Sequence, residues 1–209
     1  MALEGWRRLL GEVAARIGLD RLFPGVTGGG SRFYNCSRQG ARSWWERTDE
    51  AVDLIEKAIA DIGGRSPRVL DLGCGDGKVA VELARRGIAV DYQGFDLHPQ
   101  SAEVRRLDLA NDAIEAQGDV AVVLGVLEYL ADPAVVLGRV AEVAPRLVVS
   151  LAASDLDRPV DFDPASLNWV YYVDRATFEA RLDEAGWRIV ERRVTPDQKT
   201  AVWSALRAG

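Results

Sequence analysis

Residues 68–77 read RVLDLGCGDG, a short apolar run that leads into three glycines at alternate positions. The run is too short for most helices and is ended by glycine, so it predicts a buried β-strand followed by a tight turn. A helical stretch follows to Arg86 and ends at Gly87. In open α/β sheets, ligands bind beyond the carboxyl ends of the strands, and glycine lets the backbone approach them closely. The stretch therefore predicts a ligand site at the end of the first strand.

Strands and helices alternate along the rest of the chain. Three further runs are rich in β-branched or aromatic residues: VDYQGFD (90–96), DVAVVLG (119–125) and RLVVSL (146–151). Asp132, followed by a proline, and Asp174 are predicted to cap two helices. Residues 187–194 and 200–207 leave almost no room for a helix between them, so they should pair antiparallel. We expect an α/β fold with a Rossmann-like, doubly wound, mostly parallel sheet that ends in an antiparallel hairpin.

Ahead of the sheet, residues 1–64 are predicted to form a helical arm or lid on a core at 65–209, the two together making one structural domain. A first helix ending at Gly18 is indicated by an apolar stripe at Leu3, Trp6, Leu10, Val13 and Ile17. A second helix is predicted from a cap at Thr48, with apolar positions at Val52, Ile55, Ile59 and Ile62. The first stripe is expected to pack internally, although it could instead hold a protein partner or a second copy.

Composition excludes several classes of protein. The 209 residues are 48% hydrophobic and 28% charged, which is typical of one globular domain. Two cysteines and one histidine cannot form a disulfide framework or a zinc set, so no metal is expected. No apolar run approaches the roughly 18 residues of a membrane span. We therefore expect a soluble, cytoplasmic protein without a membrane anchor.

Charge is unevenly distributed. The net charge of -6 argues against a general nucleic-acid coat, yet residues 1–47 contain eight arginines and four acidic residues. Such a basic arm could attract an anionic substrate, or it could rest on the acidic body through scattered ion pairs.

The glycine turn does not fit a phosphate ligand. A dinucleotide fingerprint starting at Gly73 requires glycine or alanine where Lys78 stands, and Asp71 would place a carboxylate near the pyrophosphate. A phosphate loop of the Walker type fails at Leu72 and at Val79. A carboxylate beside this turn instead suits a ligand that carries positive charge.

This pattern, Asp-x-Gly-x-Gly-x-Gly after a strand, resembles the first motif of the class I S-adenosylmethionine-dependent methyltransferases. The resemblance covers about residues 65–209. Asp96 resembles the acidic residue that accepts hydrogen bonds from the ribose diol, a role for which Asp91 in the same strand is the weaker candidate. The resemblance implies S-adenosylmethionine as the cofactor and a cofactor site formed by Asp71, Gly73, Cys74, Gly75, Gly77, Asp96, Leu97, Asp108, Leu109, Leu124 and Gly125.

One segment departs from the family pattern. A complete helix usually connects the second and third strands, whereas only a short segment separates Asp96 from Asp108 here. The resemblance implies that Asp108 lies near the adenine amino group with Leu109 beside the ring. The alternative is that Asp108 is a solvated loop acid.

Methyl transfer from S-adenosylmethionine would require few dedicated catalytic groups, since the sulfonium already activates the methyl group. Correct orientation of the acceptor would supply most of the remaining rate enhancement. A hydroxyl acceptor would need a base, for which His98 and Glu128 are candidates. His98 could equally be a turn residue, and Glu128 could equally be an acid at a helix start. Cys74 has no histidine nearby in sequence, so we interpret it as a spacer in the turn.

Acceptor recognition is expected from two segments outside the shared core. They are Gly28 to Trp45 and Ser154 to Val173, the second containing Asn168, Trp169, Tyr171 and Tyr172. Aromatic side chains there could close over a substrate or simply fill space between a helix and the sheet. Three arginines of the first segment could bind an acidic group on the substrate: Arg32, Arg38 and Arg42.

The resulting hypothesis is a methyltransferase that moves a methyl group to an oxygen or nitrogen of a small molecule, which could be anionic. DNA is not expected as a substrate, because the signatures of DNA base methylation are absent. Two alternatives stay open. One is a cofactor-binding protein of this family that acts through a partner, and the other is an NAD-dependent oxidoreductase.

Overall fold

The computed structural model describes the backbone of residues 42–209 and the side chains from residue 45 onward. Its sheet has seven strands: β1 Arg68–Leu72, β2 Asp91–Asp96, β3 Arg105–Arg106, β4 Val120–Val123, β5 Arg146–Leu151, β6 Trp187–Val194 and β7 Ala201–Arg207. They lie in the order β3-β2-β1-β4-β5-β7-β6. The first five are parallel, and β7 is antiparallel to both β5 and β6. This confirms the Rossmann-like, mostly parallel sheet with a C-terminal hairpin.

Helices cover both faces of the sheet. They are α1 Arg42–Ile59, α2 Lys78–Arg85, α3 Pro133–Val143 and α4 Arg175–Glu184, with short 3₁₀ turns at Leu127–Tyr129 and Pro164–Leu167. On one face, α1 and α2 pack Val52, Ile55 and Leu83 against the odd positions of β1 and the even positions of β4. On the other face, α3 and α4 pack against Trp187 and Trp203. Alternate residues of each strand thus enter two separate cores, as a doubly wound sheet requires.

The predicted caps of α3 and α4 are confirmed. The carboxylate of Asp132 accepts a hydrogen bond from the Val135 backbone N–H at 3.4 Å, and that of Asp174 accepts one from Thr177 at 2.7 Å. Each carboxylate satisfies an N–H that has no partner within its own helix.

The predicted start of α1 at Thr48 was wrong. The helix begins at Arg42, so Thr48 lies inside it, and Ile62 lies beyond its end at Ile59. Thr48 is only 2% exposed, because it belongs to the same buried stripe as Val52. Because this stripe packs against the sheet, the helix begins more than one turn before Thr48, the residue that the sequence indicated as its cap.

The link between β2 and β3 is short, as the sequence indicated. Residues 97–104 form bends and turns, and β3 has only two residues. The predicted first helix, which ends at Gly18, lies outside the described part of the chain. The division into an arm at 1–64 and a core at 65–209 stays a prediction. Between residues 42 and 209, none of the helices combines the length and the apolar character needed to cross a bilayer.

Candidate functional site

The site begins at the turn between β1 and α2, where the strand order changes direction. The backbone adopts positive φ at all three glycines of the motif: 86° at Gly73, 56° at Gly75 and 79° at Gly77. The N–H groups of Gly73 and Cys74 both donate to Phe95 O, at 2.7 and 2.9 Å. The turn is therefore held against the end of β2, in left-handed conformations that glycine adopts with least strain.

Asp96 joins this turn at the end of β2. Its Oδ2 accepts a hydrogen bond from Gly75 N at 2.8 Å, and its Oδ1 accepts one from His98 N at 2.8 Å. Each carboxylate oxygen has a further lone pair that can accept another donor. Asp96 is partly exposed, so a ligand lying across the turn could reach it.

Asp71 lies beneath the turn and is 2% exposed. The Tyr92 hydroxyl donates to its Oδ2 at 2.6 Å. Burial raises the pKa of Asp71 to about 7, the negative charge of Asp96 adds to the rise, and the Tyr92 hydrogen bond and the Arg47 guanidinium oppose it. A nearby positive charge would favour the ionised form of this carboxyl.

Cys74 is buried within the turn, 8% exposed. Burial raises the pKa of its thiol, and the neighbouring carboxylates of Asp71 and Asp96 raise it further. The side chain therefore stays a neutral thiol, which is a poor nucleophile. This environment agrees with the interpretation of Cys74 as a spacer.

The end of β4 forms the opposite wall. Leu124 is buried, and Gly125 has a φ of 65° and donates its N–H to Ser150 Oγ at 3.0 Å. The Arg47 guanidinium of α1 lies directly against Gly125, since a Cβ there would be 2.8 Å from its Cζ. The space over Gly125 thus belongs to an arginine side chain.

Arg47 belongs to the candidate site, and the sequence did not reveal it. Its Nε is enclosed and has no hydrogen-bond partner among the described residues. Burial lowers its pKa, against the opposing attraction of Glu128, Tyr129 and Asp71. The only sequence signal was its membership of the basic N-terminal segment, which does not distinguish it from seven other arginines.

Lys78, the residue that argues against a dinucleotide fingerprint, pairs with Asp76 at 2.7 Å. Its Nζ also lies 5.7 Å from the centroid of the Trp45 ring of α1. Trp45 and Arg47 thus bring the start of α1 to the glycine turn. The rest of the predicted acceptor segment, residues 28–41, lies outside the described part of the chain, with the candidate anion contacts Arg32 and Arg38, and nothing is described of the Arg42 side chain.

The two candidate bases have different surroundings. Glu128 is 2% exposed, and its Oε1 accepts a hydrogen bond from Ala152 N at 2.9 Å. Its Oε2 is enclosed without a hydrogen-bond partner among the described residues. His98 has an exposed side chain at the rim. Of these two candidates, Glu128 is buried and His98 is exposed.

Asp108 and Leu109 follow β3. The Asp108 carboxylate accepts hydrogen bonds from Ala110 N and Asn111 Nδ2, both at 2.9 Å, which organise its own loop. The Asn111 hydrogen bond lowers the pKa of Asp108. Leu109 is 7% exposed and packs in the core. Asp108 thus has a local structural role that is independent of any ligand.

The segment between β5 and α4, residues 154–173, is called the insert below. Phe162, Trp169 and Tyr172 of the insert meet one another with ring centroids 5.6 to 5.9 Å apart. All three side chains are partly exposed. The insert is attached beside Glu128, because Val170 N and Tyr171 N donate to Glu128 O at 2.8 and 3.1 Å.

The methyltransferase domain family matches residues 44–192. The chain belongs to this family. A ubiquinone biosynthesis O-methyltransferase of Neisseria meningitidis serogroup C (strain 053442) is 32% identical over 124 residues, which cover 46% of this chain and 50% of that protein. The chain spans about half the length of these curated relatives.

Solved structures of methyltransferases share the fold of this methyltransferase domain. The Burkholderia thailandensis 1,6-didemethyltoxoflavin-N1-methyltransferase, with bound 1,6-didemethyltoxoflavin and S-adenosylhomocysteine, is 19% identical with a TM-score of 0.59, over 78% of this chain and 79% of that one. The magnesium protoporphyrin IX methyltransferase of Synechocystis PCC 6803, with bound SAH, is 16% identical with a TM-score of 0.60, over 96% of this chain and 99% of that one. The predicted resemblance to the S-adenosylmethionine-dependent methyltransferases is confirmed for family and fold.

Proposed function

We propose that this chain is an S-adenosylmethionine-dependent methyltransferase that transfers the methyl group to a hydroxyl oxygen of a small molecule. The observation that carries the proposal is the contact of Asp96 with Gly75 N at the glycine turn, above the buried Asp71. Two carboxylates at one turn repel phosphate and favour a cationic ligand with a diol. The O-methyltransferases among the relatives support oxygen as the acceptor atom.

The residues present fit this cofactor by charge and by shape. Asp96 is proposed to accept from the ribose hydroxyls, and Asp71 to face the positively charged methionine end. The terminal nitrogens of Arg47 lie against Gly125, and its Nε has no hydrogen-bond partner among the described residues. This guanidinium is proposed to pair with the cofactor carboxylate. The remaining proposed contacts are Gly73, Cys74, Gly75, Gly77, Leu97, Asp108, Leu109, Leu124 and Gly125.

The bound cofactor would supply a methyl group already activated by the sulfonium. The chain would hold the acceptor in line with that group and exclude water, which accounts for most of the rate gain available to such a transfer. The insert and α1 both lie beside this edge of the sheet. We propose that they contact the acceptor.

Thermal protection tests the cofactor. S-adenosylhomocysteine should raise the melting temperature in a concentration-dependent manner, whereas NAD should not, because only a ligand that binds the folded state stabilises it. The opposite pattern would favour a nicotinamide oxidoreductase and contradict the proposal.

Methyl transfer is tested with S-adenosylmethionine that carries a labelled methyl group. The chain is incubated with this cofactor and a metabolite extract, and the labelled product is identified by mass spectrometry. We expect a small molecule that gains one methyl on oxygen. Cofactor binding without any labelled small molecule would instead support a cofactor-binding protein that acts through a partner.

A further inference from the structure

Enclosed polar atoms without hydrogen-bond partners concentrate around Glu128. Of the five such atoms among the described residues, three are Oε2 of Glu128 and Nε of Arg47 and of Arg158, and the other two are Nε of Arg139 and the Tyr171 hydroxyl. Both arginines act electrostatically on the Glu128 carboxyl. Buried polar atoms in folded proteins are nearly always hydrogen-bonded, so such a group of exceptions needs an explanation. A polar ligand that enters this region would provide the missing partners.

Arg158 presents a guanidinium on the insert side of this region. Its two terminal nitrogens donate to backbone carbonyl oxygens, of Asp157 at 2.9 Å and of Lys199. Its Cζ lies 5.4 Å from the centroid of the Phe162 ring. No carboxylate in residues 45–209 forms a salt bridge with it, whereas Arg175 pairs with Asp155 and Arg192 with Glu179. Arg158 is thus placed to bind an anion from outside the chain.

The Phe162 ring lies between the Arg158 guanidinium and the other two aromatic rings of the insert. Phe162, Trp169 and Tyr172 form the three-ring cluster of the insert, and each side chain is partly exposed. Aromatic side chains of this kind pack well against a planar ring. The carboxylate of Glu128, the guanidinium of Arg158 and the ring cluster therefore suit a planar acceptor with a hydroxyl group and an acidic substituent.

We propose that Glu128 is the general base of the transfer, and that Arg158 pairs with an acidic substituent of an aromatic hydroxyl acceptor. This inference rests on the proposed methyltransferase function. In the reaction, the acceptor oxygen forms a bond to the methyl carbon while the methyl–sulfur bond breaks and leaves its electron pair on sulfur. The hydroxyl proton moves to Oε2 of Glu128, whose other oxygen is held by Ala152 N.

The surroundings of Glu128 suit a base more than those of the other acids at this edge. Burial raises its pKa, and the Ala152 hydrogen bond together with the charges of Arg47 and Arg158 limits the rise. A carboxyl with a raised pKa is a stronger base than a solvated one and stays ionised near neutral pH if cations face it. By contrast, the Asp71 carboxylate already accepts a hydrogen bond from the Tyr92 hydroxyl, and both oxygens of Asp96 accept hydrogen bonds from backbone N–H groups.

The insert covers Glu128 through the hydrogen bonds that Val170 and Tyr171 donate to its carbonyl oxygen. In this position the insert would separate a bound acceptor from water, which a proton transfer to a buried carboxylate requires.

The acceptor class is tested with the complex of the chain and S-adenosylhomocysteine. Saturation-transfer NMR and calorimetry measure the binding of mono- and dihydroxybenzoates, and of phenol as the analogue without an acidic group. We expect the hydroxybenzoates to bind at least tenfold more tightly than phenol. Arg158→Gln should remove that preference, and Arg188→Gln, which changes an exposed arginine of β6, should retain it.

The base is tested with the hydroxybenzoate that is methylated fastest. Glu128→Gln should lower kcat on the order of a hundredfold or more, since a positioned base contributes about that much. The wild-type rate should fall as Glu128 is protonated at low pH. In Glu128→Gln the residual rate should lack that fall and rise toward high pH, where the phenolate forms unaided. Glu128→Asp should keep the fall of the rate at low pH. The control Glu142→Gln, at an exposed position, should keep the kcat and the pH profile of the wild type.

The outcomes separate the two proposals. If wild type fails to bind S-adenosylhomocysteine, the proposed function is wrong. If it binds S-adenosylhomocysteine but methylates no hydroxybenzoate of the panel, the acceptor class proposed here is wrong. If Glu128→Gln binds S-adenosylhomocysteine like wild type and keeps both kcat and its pH profile, Glu128 is not the base.

Discussion

The hydroxyl of Tyr92 on β2 donates a 2.6 Å hydrogen bond to Oδ2 of Asp71 on β1. On β2 the residue opposite Asp71 is Gly94, and a Cβ there would lie 3.3 Å from the Tyr92 ring. The absence of a side chain at Gly94 thus leaves room for the phenol to reach the carboxyl. This hydrogen bond favours the ionised form of Asp71, the form that attracts a cationic cofactor.

Tyr92→Phe should therefore raise the pKa of Asp71 above its present value of about 7. Hydrogen bonds to charged groups contribute about 1.5–3 kcal/mol, so the affinity for S-adenosylmethionine at pH 7 should fall roughly fivefold or more. At pH 9 the difference from wild type should become smaller, because Asp71 ionises in both. Calorimetric titration from pH 6 to 9 measures this, and parallel curves for the two proteins would count against it.

Asp71 should also make stability depend on pH. Its pKa is about 7 in the folded chain, against 3.8 for an ordinary aspartate, so between these limits the folded state binds more protons than the unfolded state. Stability therefore decreases as pH rises from about 4 to about 7, by about 4 kcal/mol in total. Asp71→Asn should lose this decrease. Urea unfolding at several pH values measures it, with Asp183→Asn at an exposed position as the control.

Asp96→Ala should weaken the binding of S-adenosylhomocysteine by about 1–3 kcal/mol without unfolding the chain. The variant removes the acceptor proposed for the ribose and also the bond that Gly75 N donates. Asp91→Ala is the matched control, since Asp91 lies at the other end of the same strand and pairs with Arg68 at 2.6 Å. Equal affinities for wild type and Asp96→Ala would refute the ribose assignment.

Gly73→Ala should destabilise the chain by about 2–4 kcal/mol, through left-handed strain and overpacking together. A Cβ at Gly73 would overlap Cγ2 of Val126, whereas nothing lies within 4 Å of one at Gly77, which also has positive φ. Gly77→Ala should therefore lower stability only by the strain of its left-handed backbone. Val126→Ala in the Gly73→Ala background should recover part of the loss in a double-mutant cycle. If the stability effects of Gly73→Ala and Val126→Ala are simply additive, the overlap with Val126 contributes nothing and the prediction is wrong.

Local sequence patterns predicted most of the fold. The strands at 146–151 and 187–194 match the prediction to the residue, because each is a short β-rich run with clear ends. The caps at Asp132 and Asp174 depend only on contacts within one turn. The prediction at Thr48 was wrong because the start of α1 depends on the burial of this side chain against the sheet. No local sequence pattern records that burial.

The same distinction holds for the site. The juxtaposition of Asp96 with the glycine turn follows from parallel strands ending at one edge, so sequence order was enough to predict it. The approach of Arg47 to Gly125 depends on how α1 crosses the sheet. The enclosure of Glu128 depends on the insert, whose path over the edge has no periodic signal. These features arise from tertiary packing, which a single sequence does not specify by spacing.

The most direct test of the cofactor site is a crystal structure of the chain with S-adenosylhomocysteine. Its ribose hydroxyls should lie within hydrogen-bond distance of the Asp96 carboxylate, with its carboxylate next to the Arg47 guanidinium over Gly125. A structure in which the compound lies elsewhere, or in which a saturating concentration leaves the glycine turn without it, would contradict the account.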